Sequence, residues 1–269
     1  MFAARGRKSP RIGPMALARD RCVCLRKTEF SETSQILALF GREHGIVRVI
    51  AKGAHRRTKA GASKFDGGVD TLDVGDAVFT LHVERDLNTL TEWGLRDGQQ
   101  PLHRHLRAMY LGLYAAELVS TLIEEHDPHP ELFDRLLTLL AELPTERTEE
   151  SFLAFELDLL RYAGLLSDLS RCVGCGRPAL EATGDGYFSP ERGGLVCRSC
   201  EGTTPDRLRL DARLARLAQQ VLRLPRVGGT PQRLPRLTRH QTDPLNALFA
   251  RQVAVTLGRP LRMPAYVLA

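Results

Sequence analysis

The sequence predicts an α+β protein, in which a small five-stranded barrel is followed by an all-helical region carrying a cysteine-rich insertion. Three observations carry that prediction. Short apolar runs with turn signals between them fill residues 19–97, the apolar period becomes helical after Pro101, and four of the six cysteines fall between residues 172 and 200. Alternation marks half-buried strands, and recurrence at three and four residues marks amphipathic helices. The 269 residues are 43% hydrophobic and 26% charged. That is enough apolar material for a packed core, which excludes wholesale disorder.

Residues 1–18 read as a flexible basic tail. Arg5, Arg7, Lys8 and Arg11 lie on no apolar face, and Pro10, Gly13 and Pro14 break any periodicity. No apolar stretch follows, as a secretory signal would require, and Met15 offers an alternative start. No window approaches the ~20 apolar residues of a membrane helix, so a soluble cytoplasmic protein without a membrane partner is expected. Strand-like runs then cover 21–26, 35–40, 45–51, 71–84 and 88–93. Five short strands in this space fit the OB-fold, a five-stranded barrel, for residues 19–97; an SH3-like barrel is the alternative.

After Pro101, Leu102, Leu106, Met109, Tyr110 and Leu113 share one helical face. The first helix is expected over 102–125, ending before Asp127 and Pro128. A second fits 131–143, between Pro130 and Pro144, and a third fits 149–163, with Thr148 as its cap and Gly164 as its stop. Helical periodicity returns over 211–224, and a last helix fits 244–257 with Asp243 as its cap. The helical domain is thus predicted over 98–170 and 203–269, and the inserted element over 171–202.

Cys172-x-x-Cys175 and Cys197-x-x-Cys200 are separated by 21 residues. Two cysteines at i and i+3 turn both sulfurs toward one point, and two such knuckles make a tetrahedral thiolate cage for one zinc ion. Gly174 and Gly176 suit the knuckle backbone, and the glycines between the pairs fit a small hairpin. Four thiolates leave no open coordination position, so the expected role is structural, and metal binding would supply folding energy to an element poor in apolar residues. Cys22 and Cys24, at i and i+2 on a strand, read as small buried hydrophobes.

No phosphate-binding loop, H-E-x-x-H or G-x-S-x-G motif occurs. His103 and His105, two apart on a helix, cannot face one ligand. No catalytic residue is predicted. Charge is uneven instead: residues 1–85 carry +7, residues 86–170 carry −10, and residues 171–269 carry +9. Basic ends of this kind point to a polyanion. Residues 52–64 hold five Lys/Arg and no carboxylate. Lys52, His55, Arg56, Arg57, Lys59 and Lys64 of this segment are candidate contacts to a nucleic-acid backbone. Phe30, Phe65, Phe79 and Trp93 are the few candidate stacking residues. Arg209, Arg213 and Arg216, spaced i, i+4 and i+7, are expected on one helix face as a second cationic surface.

The chain resembles the RecO family of bacterial recombination mediators. The resemblance is carried by Phe30-Ser31-Glu32-Thr33-Ser34, by Leu39 to Gly45, by Ala51-Lys52-Gly53-Ala54-His55-Arg56, and by the segment from Val74 to Glu92. The four cysteines match the zinc-bearing branch, and Leu257-Gly258-Arg259-Pro260-Leu261-Arg262 resembles the family's C-terminal end, whereas Met263 and Pro264 depart from it. The resemblance implies an N-terminal OB domain, a helical domain with a zinc element, and a nucleoid-associated protein of RecF-type repair. It implies binding of single- and double-stranded DNA, strand annealing, and partnership with RecR and the acidic C-terminal tail of single-stranded-DNA-binding protein in loading recombinase. The alternative reading is a zinc-containing protein-interaction adaptor with incidental DNA contact.

Overall fold

A computed structural model describes residues 16–54, 64–65, 68–81, 86–180, 186–227, 230–231 and 234–268. It divides into two compact units, residues 1–98 and 99–269.

The first unit is a closed barrel. Its strands are β1 (Ala16–Ser31), β2 (Ser34–Gly41), β3 (Gly45–Ala51), β4 (Val74–Leu81) and β5 (Asn88–Asp97), in the order β1-β2-β3-β5-β4. β1 closes it by serving two neighbours. Its first half pairs with β4, from Ala16 opposite Leu81 to Val23 opposite Val74, and its second half pairs with β2, from Cys22 opposite Gly41 onward. A register shift between Cys24 and Arg26 bends the strand, as a bulge does. β3 and β5 are the parallel pair, joined from Val49–Asn88 to Ala51–Leu90. This is the five-stranded OB-like arrangement. Alternate residues Ala18, Cys22, Cys24, Leu37, Leu39, Val47, Val49, Phe79 and Trp93 fill the interior. β1 starts at Ala16, inside the segment expected to be tail, because its pairing with β4 runs that far; the rest of the expected tail lies outside the described residues.

A buried carboxylate shapes one barrel corner. Asp20 accepts from the Glu43 and His44 amides at 3.0 and 2.9 Å and from His44 Nδ1 at 2.9 Å. Gly41 makes room for it, since a Cβ there would stand 2.3 Å from Asp20 Oδ2.

The second unit holds α1 (Gln100–His103), α2 (Leu106–Leu122), α3 (Pro130–Glu142) and α4 (Thr148–Tyr162). Then come β6 (Gly186–Ser189), β7 (Gly194–Val196), α5 (Arg198–Glu201), β8 (Leu208–Leu210) and α6 (Ala212–Arg223). β9 (Arg226–Val227), β10 (Thr230–Pro231), α7 (Arg239–Leu257) and α8 (Pro264–Val267) complete it. α4 is central: nearly every residue from Glu150 to Leu160 is buried, and Tyr114 of α2 stacks on Phe152 at 5.2 Å.

Three helix limits differ from expectation. The first predicted helix is two, because His105 is extended and resets the chain. The break lets Arg107 reach Glu149 with two bonds of 2.8 Å, Asp243, and the Val267 carbonyl. Thr148 does not cap α4; its hydroxyl donates to the Leu143 and Thr145 carbonyls. α7 starts five residues before Pro244, at a capping box of Thr238 and Gln241, while Asp243 binds Arg107 and Arg239 instead of capping.

Candidate metal centre and nucleic-acid interface

β6 and β7 form the expected hairpin between the cysteine pairs, and β8 adds a third strand in the order β7-β6-β8. The cysteine-bearing sheet therefore runs on to Leu210, past the expected limit at Gly202. Phe188 of β6 meets Phe249 of α7 edge to face at 6.0 Å, which seats the sheet on the helices.

The two knuckles converge. The sulfurs of Cys172, Cys175, Cys197 and Cys200 all lie within 4.8 Å of one another, and those of Cys175 and Cys197 are 3.7 Å apart. A tetrahedron with metal–sulfur bonds of about 2.3 Å has edges of about 3.8 Å, so the donor set fits. The backbone fits too. The amides of Gly174 and Cys197 donate to Cys172 Sγ at 3.3 Å, as amides do toward thiolate. A Cβ on Gly174 would stand 3.3 Å from Cys200 Sγ, and Gly176 takes a φ of +74°. The knuckle thus uses one glycine for close approach and the other for its left-handed turn.

Electrostatics lead to the same conclusion. Arg177 Nε donates to Cys175 Sγ at 3.5 Å and lowers that thiol to about 6. Burial works against ionisation of Cys172, but the amides of Cys197, Cys175 and Gly174 hold it below the usual thiol value. Cys200, beside Cys175 and Cys197, is pushed up to about 12. The cluster favours the first thiolates and resists the last, so full ionisation needs a cation among the sulfurs. Cys22 and Cys24 contrast with this: both are buried in the barrel, and burial pushes both thiols well up.

The nucleic-acid candidates are placed unevenly. Lys52 and Lys64 are described and exposed, whereas His55, Arg56, Arg57 and Lys59 lie outside the described residues. Both ends of the cationic segment are anchored on the barrel. Lys52 directly follows β3, and Ala54 is buried in the core. At the other end Lys64 accepts from the β5 amide of Trp93 at 3.0 Å, and Phe65 is buried. Of the candidate stacking residues, Phe65, Phe79 and Trp93 are core, and Phe30, at the β1–β2 turn, is 64% exposed.

The expected helix face of Arg209, Arg213 and Arg216 does not form. Arg209 lies on β8 opposite Tyr187, because Asp211 accepts from the Arg213 amide at 2.6 Å and starts α6 only at Ala212. Arg213 and Arg216 do share a face of α6, at i and i+3. The sequence reading missed the Arg177–sulfur bond. A basic residue two positions after a knuckle cysteine is its only linear signal.

Comparison with known proteins agrees with this architecture. Residues 15–98 match the family described as "Recombination protein O N terminal", and residues 103–240 match "Recombination protein O C terminal". A DNA repair protein RecO of Rhodopirellula baltica is 35% identical over 66% of this chain and 65% of its own length. One from Alkaliphilus metalliredigens is 32% identical over 74% of this chain and 78% of its own. One from Bacillus pumilus is 28% identical over 87% and 91%.

Proposed function

The chain belongs to the RecO family, and from that premise we propose that it is a non-enzymatic recombination mediator in RecF-type DNA repair. It binds single- and double-stranded DNA and anneals complementary strands. With RecR, and through the acidic C-terminal tail of single-stranded-DNA-binding protein, it helps load recombinase onto covered strands. The supporting observation is the cationic segment 52–64, pinned at both ends on β3 and β5 of a small barrel. Lysine and arginine there displace counterions from phosphates, which supplies sequence-independent affinity. A further cationic surface at Arg213 and Arg216, which share a face of α6, lowers the repulsion between two strands, so pairing nucleates without nucleotide hydrolysis. The exposed Phe30 ring offers a base-stacking contact.

The resident metal in this reading is one zinc ion held by Cys172, Cys175, Cys197 and Cys200. With all four thiolates as ligands, the ion would supply a structural cross-link between the two knuckles. The adaptor reading draws on the −10 charge of residues 86–170, which repels DNA and suits a basic partner. Anisotropy of a labelled single strand against salt separates the two. Tight, steeply salt-dependent binding that R56A/R57A/K59A flattens is expected; weak binding indifferent to those charges favours the adaptor.

A further inference from the structure

A second cationic feature lies elsewhere on the barrel, in a groove of about 430 Å³ over the β1–β4 seam. Arg19 and Arg21 line it from β1, Arg42 from the β2–β3 turn, and the carboxylates of Asp20, Glu43 and Asp76 complete its charged lining. Arg19 stands opposite Val78 and Arg21 opposite Asp76. The Arg42 amide donates to the Arg21 carbonyl at 3.1 Å, which fixes the turn beside the strand.

The groove is not neutralised from within. Asp20 is buried and its oxygens are taken by Glu43 and His44. Asp76 is bound by Arg96 at 2.7 Å and is 3.7 Å from Arg21. Arg42 pairs with Glu43 at 3.0 Å. Arg19 is exposed and makes no ion pair among the described residues. Of the three guanidinium groups that line the groove, Arg21 and Arg42 face the exposed carboxylates of Asp76 and Glu43, and Arg19 is left over.

We propose that this groove binds the phosphodiester backbone of a nucleic-acid strand, as a contact separate from the 52–64 segment. Two residues along a strand advance about 6.8 Å, so Arg19 and Arg21 step at a spacing suited to consecutive phosphates of an extended strand. Guanidinium groups pair with phosphate bidentately. The groove's apolar lining residues are Ala77 and Val78, where a docked peptide would need pockets for a row of alternating side chains. The 52–64 segment leaves the end of β3 and rejoins the barrel at Trp93 of β5, whereas the groove lies over β1 and β4. This inference rests on the DNA-binding reading and adds a place for a second strand.

The test uses the full chain, a labelled oligo(dT) strand, and an oligo-glutamate peptide as second probe. For R19A/R21A the plot of log affinity against log salt should become shallower by about 1.4, at about 0.7 per single-strand phosphate contact. R19K/R21K should restore it. R19A alone, which breaks no ion pair, should flatten it by about 0.7, and keeps the test sound if loss of Arg21 disturbs the barrel. An unchanged slope in R19A, while removal of the 52–64 charges still flattens binding, overturns this inference and leaves the DNA-binding reading standing. Failure of the unaltered chain to bind the strand overturns both. Loss of oligo-glutamate binding with strand binding intact makes the groove a peptide site and overturns the proposal.

Discussion

The barrel seals Cys22 and Cys24 among apolar neighbours, whereas the second unit gathers four cysteine sulfurs within 4.8 Å of one another. In the barrel, burial keeps the thiols protonated, and they pack as small hydrophobes. Beside the β6-β7-β8 sheet, backbone amides favour the thiolate of buried Cys172, and Arg177 favours that of exposed Cys175. The difference shows that cysteine chemistry follows from donor geometry and solvent rather than from residue type. It also separates a closed apolar interior from a small sheet beside four sulfurs that could hold a metal ion.

The largest effect expected from this contrast is metal loss. Chelation, or C197S, should unfold the segment 171–210, since metal binding supplies about 10–16 kcal/mol to small elements of this kind. Limited proteolysis should then cut within that segment and leave the barrel intact. Equal loss of protection in the barrel would break the distinction. Next, F79A, deep in the barrel, should cost about 3–5 kcal/mol, read as a lowered denaturation midpoint without change in metal content.

A smaller effect concerns a buried and a partly buried carboxylate of the helical unit. Burial holds the Glu156 carboxyl well above its ordinary value, although the Tyr114 hydroxyl bonds it at 3.1 Å. A raised acid contributes stability below its unfolded pKa and loses it as pH rises through the folded one. E156Q should therefore raise Tm at pH 8, with the gain shrinking toward pH 5. The Asn246 amide, 3.0 Å away, turns over to meet the new donor. Glu149 behaves oppositely. Burial opposes its charge, but Arg107 and Thr242 hold it low, so its contribution is present above its unfolded pKa of about 4.3 and is lost as pH falls further. E149Q should flatten the acid limb of the stability curve. The least effect is expected at the surface. D76N, at an exposed pair with Arg96, should change stability by about 0–1 kcal/mol; a larger change would show that this pair helps close the barrel.

Much of this was legible in linear form. The five strands and the four metal-ligand candidates could be read because alternation and Cys-x-x-Cys spacing are local signals. The split at His105 was not legible, because apolar period favours one helix across it and only the distant partners of Arg107 favour a break. Arg209 was misplaced for a similar reason: a spacing of i, i+4 and i+7 looks the same whether or not β6 recruits the first residue into a sheet. The barrel groove was invisible, since Arg42 joins Arg19 and Arg21 only when β1 and the β2–β3 turn meet.

What the sequence determined by itself, then, is everything carried by contacts within a few residues: strand and helix type, knuckle chemistry, and the clustering of charge along the chain. What only the tertiary structure decided is which strand β1 pairs with at each point, where helices stop to satisfy buried ion pairs, and which arginines share a surface. Those outcomes depend on partners 20 to 160 residues away. Their free energy arises from desolvation and charge pairing after collapse, and no local pattern encodes it.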